Sequence, residues 1–398
     1  MNTVKEEVKK YLNSQKKIKV AIVGVGNCAC SLYQGFTYYQ DKDIDSGLMR
    51  ETIGGYDINS IDVVAAFDVD SRKVGKHFKE AMLSEPNCTP LFIEKDKIPD
   101  GPVVMMGNVL DGVADHMLTS SEKEGFRISE SISVNVVDIL RQREVDILIN
   151  YLPVGSQKAT EFYADCCLKA KVSLLNCIPV FIASNEEWEK KFIDAGIPLV
   201  GDDMKSQFGA SILSQMLQEL AFSRGHKVKC HIQRNVGGNT DFLNMTDKNR
   251  VGSKKISKEN VIRSQNIIRN IPMGESYYHA GPSEYIRHYK DNKIANFHVE
   301  MEGFMGSPVT LDAQLSVIDS PNSAGVVIDA IRYLKVAREM GIKGALRGPS
   351  AFTQKSPPQY LTYNQTLEEC EALANRKLTS ITKNQIQQID LNNSNIKC

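Results

Sequence analysis

Gly24-Val25-Gly26-Asn27-Cys28-Ala29 fits the pattern G-x-G-x-x-A at the end of an apolar run, residues 19–26 (KVAIVGVG). The first glycine permits a tight turn, and the second lets the backbone approach a diphosphate. The small third residue lets a helix pack on a strand. The helix that follows points its N-terminal amides at phosphate. The pattern alone is weak, but a strand before it and a helix after it make it a dinucleotide turn. An acid ending the second strand would take the adenosine ribose hydroxyls. Asp68 in AAFDVD stands there, with Asp70 as the alternative. Asp68 follows Gly26 by 42 residues rather than about 20, and residues 41–56 (DKDIDSGLMRETIGGY) read as an insertion that fills the gap. A carboxylate there favours NAD over NADP, because a 2′-phosphate would meet like charge.

A second set of polar residues lies beyond position 200. Asp202, Asp203, Lys205 and Ser206 fall in GDDMKSQFG, and Asn239 and Asp241 in GGNTDFLN. Lys254, Lys255 and Lys258 fall in GSKKISKEN, and Lys290 and Lys293 in KDNKIAN. Asp319 and Ser323 fall in VIDSPNSAG, and Lys355 in FTQKSPP. Lys254 and Lys258 are four apart and would share one face of a helix. An anionic ligand would relieve their repulsion. Most lysines are simply solvated surface charges, and spacing alone does not select these among 48 basic residues.

The elements that must position these groups alternate from the start. Apolar strand-like runs at 61–70, 102–108, 146–156, 172–179 and 197–203 are separated by helical patterns. Those helices are expected at 29–40, 72–82, 134–145 and 157–171, with another beginning at a Ser184/Glu187 capping box and stopping at Gly196. This βαβα order over about 200 residues implies a doubly wound parallel sheet. A helical stripe at 206–225 then gives way to alternating segments near 227–238, 293–306 and 307–319, which suit a sheet with one wet face. We expect a second α+β domain at 204–316, inserted between 1–203 and 317–398. A helix at 323–341 returns to the first domain, and the polar tail from about residue 375 is expected to be partly disordered.

Lys+Arg and Asp+Glu both number 48, which argues against nucleic acid as a partner. Nine cysteines without a C-x-x-C pair read as thiols of a reducing compartment. The N-terminal stretch, residues 1–17, is charged and amphipathic, unlike a signal peptide. No apolar run reaches membrane-spanning length. The expectation is a cytoplasmic protein with no membrane partner.

Across nearly its full length the chain resembles the myo-inositol-phosphate synthase family in its shorter prokaryotic form. The resemblance rests on VGVGNCA, GLM…IGGY, VVAAFDVD, NYLPVGS, PVFIAS, GDDMKSQFGA, GGNTDF, SKKISK and KSPP. It implies a Rossmann-type NAD domain with an inserted α+β domain for catalysis and tetramer formation. It also implies conversion of glucose 6-phosphate to inositol 3-phosphate (1-phosphate in the other numbering). In that reaction carbon 5 is oxidised, carbon 6 is enolised, the enolate closes on the carbon 1 aldehyde, and the ketone is reduced again.

By the same resemblance, Lys254, Lys258, Lys293 and Lys355 match the active-site lysines, and Asp241 and Asp319 the carboxylates. Lys355 would serve as acid and base at carbon 5 with Asp319 beside it. Lys254 and Lys293 would stabilise the enolate and aldolate oxygens. Lys258, Ser323 and Asn239 would hold substrate. The NAD contacts carry over to Gly24, Gly26, Asn27, Cys28, Ala29, Asp68, Leu152, Pro153, Ser156, Asn176, Asp202 and Lys205. A homotetramer is implied, and the cation, divalent or monovalent, is left open. Three other readings use the same turn: a sugar-phosphate dehydrogenase, a cyclase for a modified hexose phosphate, and a non-catalytic NAD sensor.

Overall fold

The structure, a computed structural model, describes residues 17–40, 47–272, 274 and 276–394. The N-terminal amphipathic stretch up to residue 16, the start of the expected insertion (41–46) and the last four residues lie outside them.

The first sheet has seven parallel strands: β1 Ile18–Val23, β2 Ile61–Asp68, β3 Val104–Met106, β4 Ile147–Asn150, β5 Ser173–Asn176, β6 Pro198–Val200 and, late in the chain, Gly344–Ala345. Their spatial order runs from the late strand through β6, β5, β4, β1 and β2 to β3, and every pairing is parallel. Both faces of the sheet are covered, which explains why its strands read as continuous apolar runs. Val20 and Ile22 of β1 pack into one core with Leu32 and Phe36 and with Val327, Ile331 and Leu334. Ala21 and Val23 point to the opposite core, with Leu140, Tyr163, Cys167 and Phe192. The strand order reverses between β1 and β4, and ligands bind at such a reversal, outside the carboxyl ends of the strands.

The second sheet contains β7 Lys227–Gly237, β8 Tyr277–Tyr285, β9 Asn292–Glu302 and β10 Pro308–Ile318; the late strand of the first sheet is β11. Its order is β10-β9-β7-β8. β9 is antiparallel to both neighbours, whereas β7 and β8 are parallel. Ala221 and Ile262, from helices Ala210–Ser223 and Gly252–Arg269, pack on Val228, Tyr278, Ala280 and Val299 of the inner face. β8 was not expected from its sequence, because Gly281 and Pro282 interrupt it. Its place at the sheet edge accommodates the proline.

Several expectations are corrected. The helix expected from Arg72 begins only at Phe78, because residues 71–76 turn around Asp70, whose carbonyl accepts from Lys73 and Val74. The helix Glu186–Ala195 is capped by Asn185, which accepts from the amides of Glu187 and Trp188. Ser184 instead donates to Asp202 at 2.8 Å. Gly196 ends that helix in the left-handed conformation, as expected. The long returning helix starts at Asp319, four residues earlier than expected, and runs to Glu339. The tail forms a helix at Ser380–Ser394, tied down where Gln385 donates to the Ala345 carbonyl. Among the described residues, no helix is long and apolar enough to cross a membrane.

Candidate active site

At the β1/β4 reversal one cleft runs from the glycine turn to the second sheet. Residues of both sheets line it, from Gly24 and Asp68 at one end to Lys254, Lys293 and Lys355 at the other.

The turn occupies one end. Gly24 has φ +89°, and a Cβ there would lie 2.6 Å from the Tyr151 carbonyl oxygen. Only glycine fits where β1 passes β4 so closely. A Cβ at Gly26 would meet nothing within 4 Å, so the space before the helix is open. The helix Asn27–Tyr38 starts with no side-chain cap; its first-turn amides are left for a ligand. Asn27, Cys28 and Ala29 line the cleft together with Leu152 and Pro153 from the end of β4. Asp68 ends β2 and also lines it, accepting the Val25 amide at 2.7 Å. Asp70 turns away into an ion pair with Arg72 at 2.5 Å. These residues fit a dinucleotide.

The charged groups gather at the other end. Lys254, Lys258, Lys293 and Lys355 all line the cleft, as do Asp241, Asp319, Asn239 and Ser323. Asp203 organises them. It is fully buried with φ +63°, and accepts from Lys254 at 3.1 Å, Lys355 at 2.9 Å and Ser257 at 2.7 Å. Burial opposes its charge, yet Lys254 and Lys355 hold its carboxyl down at about 2. Lys254 lies 4.0 Å from Asp241; burial works against its charge, but Asp203 and Asp241 hold it above the ordinary lysine range. Lys355 goes the other way: burial, reinforced by Lys254 and opposed by Asp203, brings it down to about 8. Its ammonium also donates to the Met204 carbonyl at 2.6 Å.

The carboxylate beside Lys355 is therefore Asp203, and the expected Asp319 pairs with Lys293 instead. Lys293 outweighs burial and keeps the Asp319 carboxyl below its usual range. Asn239 bridges Asp319 and Asp291, 3.3 Å from each. Burial, with Asp319 close by, raises Asp291 to about 6. Lys258 has no acceptor among the described residues. Burial, then Lys254, Lys355 and Lys293, push it far below the lysine range. A buried amine ringed by cations is a ready receptor for an anion. Ser323 donates to the Ser320 carbonyl at 2.7 Å and lies 3.7 Å from the Cys28 sulfur, so the two ends of the cleft touch there.

Four expected cofactor contacts do not line the cleft. Asp202 is buried beneath it, taking the amides of Ile182, Ala183 and Ser184 and the side chain of Asn176 at 2.7 Å. Asn176 spends its other amide hydrogen on the Val180 carbonyl. Ser156 closes its own turn on the Pro153 carbonyl at 2.6 Å. Lys205 faces the far side of Lys355, donating to the Ala351 carbonyl at 2.6 Å and to Gln215 at 3.3 Å. Burial, with Lys355 adding repulsion, lowers it to about 7.

Sequence reasoning gave no role to Asp203, Asp291 or Lys73. The pair of adjacent acids in GDD is the signal that could have marked the first. Nothing in the sequence distinguished the other two.

Fold and cleft together define a dinucleotide-binding α/β protein with a cationic site beside its cofactor turn. Residues 209–320 match the family model described as myo-inositol-1-phosphate synthase. The inositol-3-phosphate synthase of Mycolicibacterium smegmatis is 42% identical over 360 residues, which is 89% of this chain and 97% of that protein. That of Corynebacterium glutamicum is 43% identical over 370 residues, 90% and 98% of the two chains. A crystal structure of a myo-inositol-1-phosphate synthase-related protein from Thermotoga maritima superposes with a TM-score of 0.75 at 22% identity, covering 91% of this chain and all of that one. The chain belongs to the myo-inositol-1-phosphate synthase family.

Proposed function

We propose that the chain is an NAD-dependent isomerase that converts D-glucose 6-phosphate to 1D-myo-inositol 3-phosphate. The observation that carries this reading is the convergence of four lysines on the cleft that holds the glycine turn. A simple dehydrogenase needs the turn but has little use for four cations. A cyclisation that generates two oxyanions beside a phosphate uses them all.

NAD, when bound, supplies reversible oxidation at carbon 5. The turn Gly24–Ala29, Asp68, Leu152 and Pro153 hold it, with Asp68 on a ribose. Lys355 accepts the carbon 5 hydroxyl proton and later gives it back, with Asp203 bearing the balancing charge. A pKa of about 8 lets one amine do both near neutral pH. Lys254 and Lys293 face the oxygens that become enolate and aldolate. Each is anchored on a carboxylate, so little reorganisation is needed as charge develops. Lys258 and Ser323 receive the phosphate, and the phosphate takes the carbon 6 proton. Asn239 and Asp241 orient hydroxyls.

We divide the chain into a cofactor domain (1–203 and 317–398) and a catalytic domain (204–316), with the second boundary falling near the end of β10, which runs to Ile318. The outer face of the second sheet is the contact surface of a homotetramer. The test is phosphorus and proton NMR of glucose 6-phosphate with the protein and NAD+, while absorbance at the NADH band is followed. Inositol monophosphate without NADH build-up supports the reading. NADH build-up with a keto sugar phosphate would replace it with a dehydrogenase.

A further inference from the structure

Lys73 is 2% exposed, yet it lines the cleft beside the glycine turn. Its ammonium donates to the Val25 carbonyl at 2.6 Å, and among the described residues it has no other acceptor. An ammonium carries three donors, and a buried one with two unused is costly unless an anion completes it. The segment around it is built to present it. Asp70, the alternative ribose acid by sequence, accepts from the Arg72 side chain and from the amides of Arg72 and Arg127. Its carbonyl takes the amides of Lys73 and Val74. This pinned turn sends Lys73 back over the end of β2 toward the turn at Gly24. Val25 is then held from both sides, its amide on Asp68 at 2.7 Å and its carbonyl on Lys73 at 2.6 Å.

We propose that Lys73 is a cofactor-binding residue whose ammonium takes a phosphate oxygen of the adenosine half of the dinucleotide. The assignment rests on the reading of this cleft as a dinucleotide site. Asp68 lies at the same end and marks where the adenosine ribose goes. Lys73 therefore stands where the diphosphate passes from that ribose to the helix N-terminus. The position also explains why a cation is buried beside a backbone turn that could be braced by any neutral donor.

The test compares the wild-type protein with Lys73→Met by calorimetric titration of ADP-ribose and of adenosine at several salt concentrations. Thermal unfolding controls for folding. One lost charge-assisted hydrogen bond corresponds to roughly a 10- to 100-fold weaker Kd. The proposal predicts that loss for ADP-ribose, a shallower salt dependence, and adenosine affinity unchanged within about twofold. A folded variant with unchanged ADP-ribose affinity, or weakened affinity with wild-type salt dependence, overturns the assignment and leaves Lys73 a brace for the turn. A wild-type protein that binds no ADP-ribose overturns both the assignment and the dinucleotide reading. Lys73→Gln, which keeps a neutral donor for Val25, repeats the comparison if the methionine variant fails to fold.

Discussion

Asp203 and Lys355 are 152 positions apart in the chain, and their charged atoms lie 2.9 Å apart at the floor of the cleft. A short backbone ladder holds them there. Lys355 donates its amide to the Asp203 carbonyl, Lys205 to that of Thr353, and Asp202 and Ser356 exchange amides. The pair is thus fixed by main chain before its charges meet, and Lys254 adds a second cation at 3.1 Å.

Asp203→Asn leaves two buried ammonium groups without their carboxylate. Breaking a buried pair by removing one partner costs about 3–5 kcal/mol. We expect destabilisation of that order by urea unfolding and at least a 100-fold fall in turnover. Wild-type stability would show that the pair is not buried as described.

Lys355→Ala removes the group that handles the carbon 5 proton. General acid–base catalysis contributes about 10²–10⁴-fold, so kcat should fall by that range while KM for glucose 6-phosphate changes little. Near-normal turnover would sink the assignment. In the wild-type protein, Lys355 must be neutral to accept a proton, and kcat/KM should rise with pH through about 8.

The same lysine predicts a stability trend. Its folded pKa of about 8 lies below the unfolded value of 10.5. Between those values the unfolded chain binds the extra proton, so this contribution to stability rises with pH across that window and is flat below it. The urea midpoint of the wild type minus that of Lys355→Met should increase between pH 7.5 and pH 9.5. A constant difference would contradict the shift.

Lys258→Met replaces a buried amine crowded by Lys254, Lys355 and Lys293, whose repulsion outweighs the attraction of Asp203. Relief of that burial should stabilise the protein by about 1–3 kcal/mol, while loss of the phosphate contact raises KM for glucose 6-phosphate by roughly 10- to 100-fold. A variant both less stable and normal in KM would refute the phosphate role.

Much of this was legible in the sequence. The first sheet is buried on both faces, so β1, β2, β4 and β5 announce themselves as apolar runs, and the turn at Gly24 carries its own spacing. β8 was hidden because its edge position tolerates Gly281 and Pro282. The lysines were legible only through the family motifs, since a buried lysine and a surface one look alike until the chain folds. Asp202 and Asp203 show the limit most sharply. They are neighbours of identical type, yet one is buried against amides beneath the cleft and the other anchors two lysines at its floor. Their pairing partners lie far along the chain, beyond what local pattern reports.

In the proposed reaction the cofactor is borrowed and returned within one turnover. The most direct measurement uses glucose 6-phosphate deuterated at carbon 5, with NAD+ at less than the substrate concentration. Inositol monophosphate should keep the deuterium on the corresponding ring carbon, with no accumulation of reduced cofactor. Deuterium found in free reduced cofactor, with a keto sugar phosphate left behind, would contradict it.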